Sequence, residues 1–90
     1  NIQIDKKGEY TFYTATNDGS KLYVDNKLVV NNDGLHAVRE VSDKIYLKKG
    51  MHKLRLEYFQ EGGSKTLSVY YKSDEISYRP IPGSFLFKSR

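Results

Sequence analysis

Oxygen-bearing side chains gather at two places in this sequence: Asn17-Asp18-Gly19-Ser20, and Asn31-Asn32-Asp33-Gly34 with His36 close behind. Converging Asn and Asp oxygens suit a hard cation such as calcium, or the hydroxyls of a sugar. Asn17, Asp18, Asp33 and His36 are therefore the candidate residues for binding such a ligand. The same residue types also make an ordinary turn, because Gly reaches positive φ without steric cost and Asn and Asp bond their own backbone. Turn chemistry is the favoured account of both stretches, and their convergence would require them to share one end of the fold.

Other chemistries find little support. His36 and His52 stand outside any metal-binding spacing such as His-Glu-x-x-His, and His52 reads as a packing or hydrogen-bonding residue at the start of a strand. Ser20, Ser42 and Ser64 occupy turn-like settings without a nucleophile-elbow pattern. The lack of cysteine excludes a thiol nucleophile, a disulfide framework and a thiolate zinc site. A carboxylate pair for glycoside hydrolysis needs a sheltered cleft to raise one pKa, which a short, turn-rich chain hardly offers. The chain is expected to be non-catalytic.

The elements that must position these residues are strands. Apolar residues alternate with polar ones, and no window carries them at helical spacing for three turns. Ile2 to Ile4 alternates, and Glu9 to Thr16 is aromatic and β-branched, with Tyr10, Phe12 and Thr14 on one face and Thr11 and Tyr13 on the other. Lys21 to Val24 and Lys27 to Val30 flank Asp25-Asn26, a two-residue connection suited to a tight hairpin. Val38 to Leu47 is extended, with a bulge expected near Ser42-Asp43. His52 to Gln60 sets Leu54, Leu56 and Tyr58 inward, and Glu61 to Ser64 is read as a hairpin turn that pairs it with Thr66 to Tyr71. Pro80 and Pro82 exclude a central strand, and Phe85 to Phe87 is expected to dock as an edge strand. Tyr13, Tyr23, Tyr46, Phe59 and Tyr70 fall opposite the inward set. Large aromatics are more often buried than displayed, so most are expected to be covered by a neighbouring domain or further strands.

Six to eight short strands with regular turns predict an all-β, antiparallel, jelly-roll-like β-sandwich. Ninety residues suit one domain, residues 1–90, and the abrupt opening in a strand suggests a fragment of a larger multidomain protein. The net charge of +4 is spread along the chain, without the basic stripe of a nucleic-acid-binding domain. No apolar run of about 18 residues exists to span a membrane.

The ordered blocks GEYTFYTATNDGSKLYVDNKLVVNNDGLH, IYLKKGMHKLRLEYFQEGG and IPGSFLF resemble the protective-antigen-type domain, a β-sandwich of anthrax protective antigen, yeast flocculins, adhesins and bacterial glycosidases. The resemblance covers nearly the whole chain and corresponds to the carboxy-terminal two-thirds of the module. It implies a non-catalytic carbohydrate-binding or accessory module of a secreted or surface glycoside hydrolase or adhesin. The alternative is a purely structural interdomain module with no ligand of its own. The implied partners are a glycan or a neighbouring catalytic domain of the same chain, in an extracellular, periplasmic or cell-surface setting. Sugar-binding members hold calcium with an Asp-Asp pair at the position of Asn17-Asp18. Here the first member is Asn, so one of the two carboxylates is lost.

Overall fold

The computed structural model describes residues 1–16, 19–32, 39–58, 67–81 and 86–89. Ten strands follow in chain order: β1 (Ile2–Ile4), β2 (Gly8–Thr16), β3 (Ser20–Val24), β4 (Lys27–Asn32), β5 (Arg39–Leu47), β6 (Gly50–His52), β7 (Leu54–Tyr58), β8 (Leu67–Lys72), β9 (Arg79–Pro80) and β10 (Leu86–Ser89). They form two four-stranded sheets, ordered β5-β2-β8-β9 and β10-β7-β3-β4, with a small β1-β6 ribbon beside them. Every pairing is antiparallel except β10 with β7. The expected all-β sandwich is the fold, with this one parallel pair added.

Alternation decides which side chains enter the core. Tyr10 and Phe12 of β2, Leu22 and Val24 of β3, and Leu54, Leu56 and Tyr58 of β7 are buried in one cluster with Val69, Leu47 and the β1 isoleucines. Each fully buried aliphatic or aromatic side chain contributes about 1.5–3 kcal/mol relative to exposure. Between the layers, Asn32 of β4 donates from Nδ2 to the Thr14 carbonyl and hydroxyl oxygens of β2, both at 3.4 Å. These long bonds supply partners for an otherwise costly buried amide.

The β3-β4 hairpin turns at Asp25-Asn26, whose φ angles of 52° and 67° match the mirror-image turn that follows the strand twist. Gly50 opens β6 at φ 135°, a backbone conformation that side-chain-bearing residues rarely adopt.

Two local expectations are corrected. β5 keeps unbroken register with β2 from Arg39 to Leu47, so no bulge interrupts Ser42-Asp43. Its polar centre is tolerated because β5 is a sheet edge where both residues are exposed. The register shift falls instead opposite Leu22 and Tyr23, and it lets Val29 and Val30 of β4 both be buried. Nor do β7 and β8 form a hairpin: β7 pairs with β3 and β10, whereas β8 pairs with β2 and β9. Alternation specifies which face a residue occupies but not which strand lies beside it.

Candidate functional site

The outer face of the β5-β2-β8-β9 sheet carries a cluster of tyrosines. Tyr13 of β2 and Tyr70 of β8 are register partners, so their side chains project side by side. After β8 the chain folds back through a short turn in which the Ser73 hydroxyl accepts from the Glu75 and Ile76 amides. This turn returns Tyr78 over the sheet. The Tyr78 ring stacks on Tyr70 at 4.7 Å and meets Tyr13 edge-on at 4.8 Å. Its hydroxyl donates to Glu40 Oε2 of β5 at 2.6 Å. That bond, followed by desolvation, the neighbouring carboxylate charge and the adjacent tyrosines, pushes the Tyr78 phenol up to about 12. Tyr78 remains 47% exposed. The register places small Ala15 opposite Glu40, beside the rings.

The outer face of the β10-β7-β3-β4 sheet carries related residues in a different state. Arg55 of β7 is the register partner of Tyr23 on β3, and its guanidinium lies 4.2 Å from the Tyr23 ring centroid. Glu57 joins both: Tyr23 donates its hydroxyl to Oε1 at 3.2 Å, and Arg55 Nη1 lies 3.5 Å from Oε2. The guanidinium, ring and carboxylate thus form a closed triad. Arg55 Nε is nevertheless buried without a hydrogen-bond partner.

A third cluster ties the β3-β4 turn to β6. His52 Nδ1 meets Asp25 Oδ2 at 2.5 Å, and Nε2 meets the Lys48 carbonyl at 2.7 Å. Both partners are acceptors, so only the doubly protonated ring satisfies both contacts. The Asp25 contact raises the His52 pKa above its ordinary value despite partial burial. Burial pushes Asp25 up, but the hydrogen bonds from His52 and the Lys53 amide outweigh it and hold the carboxyl below its usual range. His52 is therefore the hydrogen-bonding residue expected from sequence. This latch borders a cleft of about 690 Å³ that opens between the β4 and β5 edges and is lined by Leu28, Asp43 and Tyr46 among others.

Of the residues nominated from sequence, Asn17, Asp18, Asp33 and His36 all lie outside the described residues. The calcium pair Asn17 and Asp18 lies there with them, and the described residues contain no group of three or more carboxylate, histidine or cysteine side chains that could hold a metal. The described neighbours of the two polar stretches, Ser20 and Asn32, are register partners at one end of the β3-β4 hairpin.

The described outward aromatics keep an accessible face within this chain, the face that a neighbouring domain or further strands were expected to cover. Tyr13, Tyr23 and Tyr70 are half-buried, and Tyr46 is 60% exposed. Phe59 lies outside the described residues. Sequence reasoning missed Tyr78 and Glu40. The available signal was the pair of outward tyrosines on adjacent strands, which marks a patch needing a neighbour.

Comparisons with known proteins bear on the role of such a surface. Residues 1–84 match the family model described as the PA14 domain. The chain is 33% identical over 81 residues to the anti-sigma-I factor RsgI3 of Acetivibrio thermocellus, a match covering 89% of this chain and 13% of that protein. A solved structure of an anti-sigma factor domain-containing protein superposes with a TM-score of 0.80 at 28% identity, covering 98% of this chain and 31% of that one. A second, from Clostridium clariflavum, gives 0.78 at 27% identity, covering 99% and 30%. The chain thus spans about an eighth of the curated relative and under a third of the solved chains.

These relatives overturn the expected role. They are anti-sigma factor proteins, so the reading as a carbohydrate-binding accessory module of a glycoside hydrolase or adhesin is corrected, with the glycan and the neighbouring catalytic domain as partners. The ligandless structural spacer of such a protein is set aside with it. Fold resemblance carried the architecture correctly but not the parent protein, because one sandwich serves many functions. The non-enzymatic expectation agrees with these relatives, whereas a glycoside hydrolase parent does not.

Proposed function

The chain belongs to the PA14 domain family, and from that premise we propose that it is a non-enzymatic regulatory module of an anti-sigma-factor-type protein. In this role it takes part in controlling a sigma factor through contacts of its outer surface rather than through bond chemistry. The observation that carries the reading is the 33% identity to an anti-sigma-I factor across 89% of the chain. The tyrosine face supports it, since exposed tyrosines on a rigid sheet are a frequent means of protein recognition. The extracytoplasmic setting expected from the family resemblance is kept as part of the proposal. Failure of an impermeant labelling reagent to reach the domain when any outer membrane has been opened and the cytoplasmic membrane kept sealed would contradict that location.

Deleting this domain from its parent protein, in cells carrying a reporter driven by the cognate sigma factor, tests the regulatory role. The expected result is a change in reporter output of about fivefold or more, the lower range of coupling between linked sites. Unchanged output in the presence of every inducing condition that acts on the intact protein would overturn it.

A further inference from the structure

The two outer faces repeat one arrangement, and on one of them it lacks a member. On the β3-β7 face a tyrosine gives its hydroxyl to a glutamate, and Arg55 fills the remaining place, over the Tyr23 ring and beside Glu57. On the β2-β8 face Tyr78 gives its hydroxyl to Glu40 in the same way. Among the described residues, no cation is set over the Tyr78 ring or against the Glu40 carboxylate. Lys44, which shares the Glu40 face of β5 by alternation, lies 3.8 Å from Glu9.

We infer that Tyr78 and Glu40 form a receptor for an arginine side chain presented by a partner protein. The guanidinium stacks on the open part of the Tyr78 ring while the second oxygen of Glu40 takes its N–H groups, as Glu57 takes those of Arg55. Arginine fits better than lysine, because a planar guanidinium can cover a ring and donate sideways to a carboxylate at once, whereas an ammonium is a compact, strongly hydrated point charge. Tyr13 and Tyr70 hold Tyr78 upright, so little side-chain freedom is lost on binding. Small Ala15 opposite Glu40 leaves room for the incoming side chain. The choice of a protein as the arginine's carrier rests on the regulatory reading; the guanidinium site itself does not.

The test is a nuclear magnetic resonance titration of the 90-residue chain, following the tyrosine ring signals, with N-acetyl-arginine methylamide, its neutral citrulline counterpart and its lysine counterpart. The inference expects saturable shifts centred on Tyr78, with arginine preferred over citrulline by about threefold to thirtyfold, the factor that an exposed cation–π contact and an exposed ion pair supply together. Glu40→Gln should abolish that preference, and Glu57→Gln should leave it intact. Arg55→Ala should open a second arginine-preferring site at Tyr23, which serves as an internal positive control. Equal binding of arginine and citrulline, an unchanged preference in Glu40→Gln, or arginine binding only at the vacated Tyr23 would each overturn the inference. Because the probes are small molecules, such a failure would leave the sigma-factor reporter result untouched.

Discussion

The two outer faces of this sandwich use the same side chains to opposite ends. On one, Tyr23, Arg55 and Glu57 pair their ring and charges with one another within the sheet, although Arg55 Nε keeps no hydrogen-bond partner, and both charged side chains are about one-third exposed. On the other, Tyr13, Tyr70 and Tyr78 satisfy one another as rings but leave Glu40, which is exposed, with a neutral phenol as its one partner among the described residues. A face that pairs its own charges is surface. One that stops a residue short is prepared for something brought from outside. The difference follows from strand partners: β7 supplies Arg55 opposite Tyr23, whereas β8 supplies a second tyrosine opposite Tyr13.

The largest expected effect removes what the faces share. Phe12 is fully buried beneath both sheets and stacks near Tyr71 at 6.2 Å, so Phe12→Ala should cost about 3–5 kcal/mol in a denaturant titration. It should blur the tyrosine signals of both faces together. A loss confined to one face would mean that the two sheets do not rest on a common core.

The next effect loosens the structure only beside the closed face. Asp25 occupies positive φ and holds both His52 and the Lys53 amide, so Asp25→Ala should cost about 1–2 kcal/mol, discounted because half of the Asp25 side chain is exposed. Tyr78 should not notice. The latch also predicts a pH dependence of the melting temperature. His52 has a raised pKa in the folded state, so its contribution is complete below about pH 6.5 and disappears as the pH climbs through that raised value. Asp25 has a lowered one, so its contribution is present above about pH 3.9 and disappears as the pH falls through the lowered value. His52→Gln should flatten the alkaline limb and, because His52 also helps hold the Asp25 carboxyl down, weaken the acid limb; an unchanged alkaline limb would dismiss the imidazolium.

A smaller effect separates the faces directly. Arg55→Ala removes a stacked cation and frees Glu57, and should cost about 1 kcal/mol. Glu40→Gln removes a charge that nothing within the described residues balances, and should cost less than about 0.5 kcal/mol. Equal losses would place Glu40 in the structure rather than at a binding surface. The smallest effect is spectroscopic. Glu40→Gln should bring the Tyr78 phenol down from about 12 towards its ordinary value, read from tyrosinate absorbance against the wild-type chain.

Much of this architecture was legible from residue order. Tyr10, Phe12, Leu22, Leu54 and Leu56 alternate with polar neighbours, and all five are buried. Asp25-Asn26 announced its hairpin through residue types that tolerate positive φ. What alternation cannot express is adjacency. The separation of β7 from β8, and the burial of both Val29 and Val30, arise from long-range pairing and leave no local mark. Tyr78 escaped for a related reason: it lies in Ser73 to Arg79, where no periodicity exists, and meets Glu40 across 38 positions of sequence. The four nominated residues Asn17, Asp18, Asp33 and His36 were chosen by turn composition, and they fall outside the described residues. The parent protein was illegible because family resemblance reports a shared core, while regulation resides in the company that a module keeps.

One measurement bears most directly on the account. In cells carrying the parent protein and a reporter for its sigma factor, Tyr78→Ala should alter the response by about fivefold or more at unchanged protein level, while Tyr23→Ala leaves it near wild type. Equal responses from the two variants, whether both silent or both altered, would contradict the claim that this domain regulates through its unfinished face.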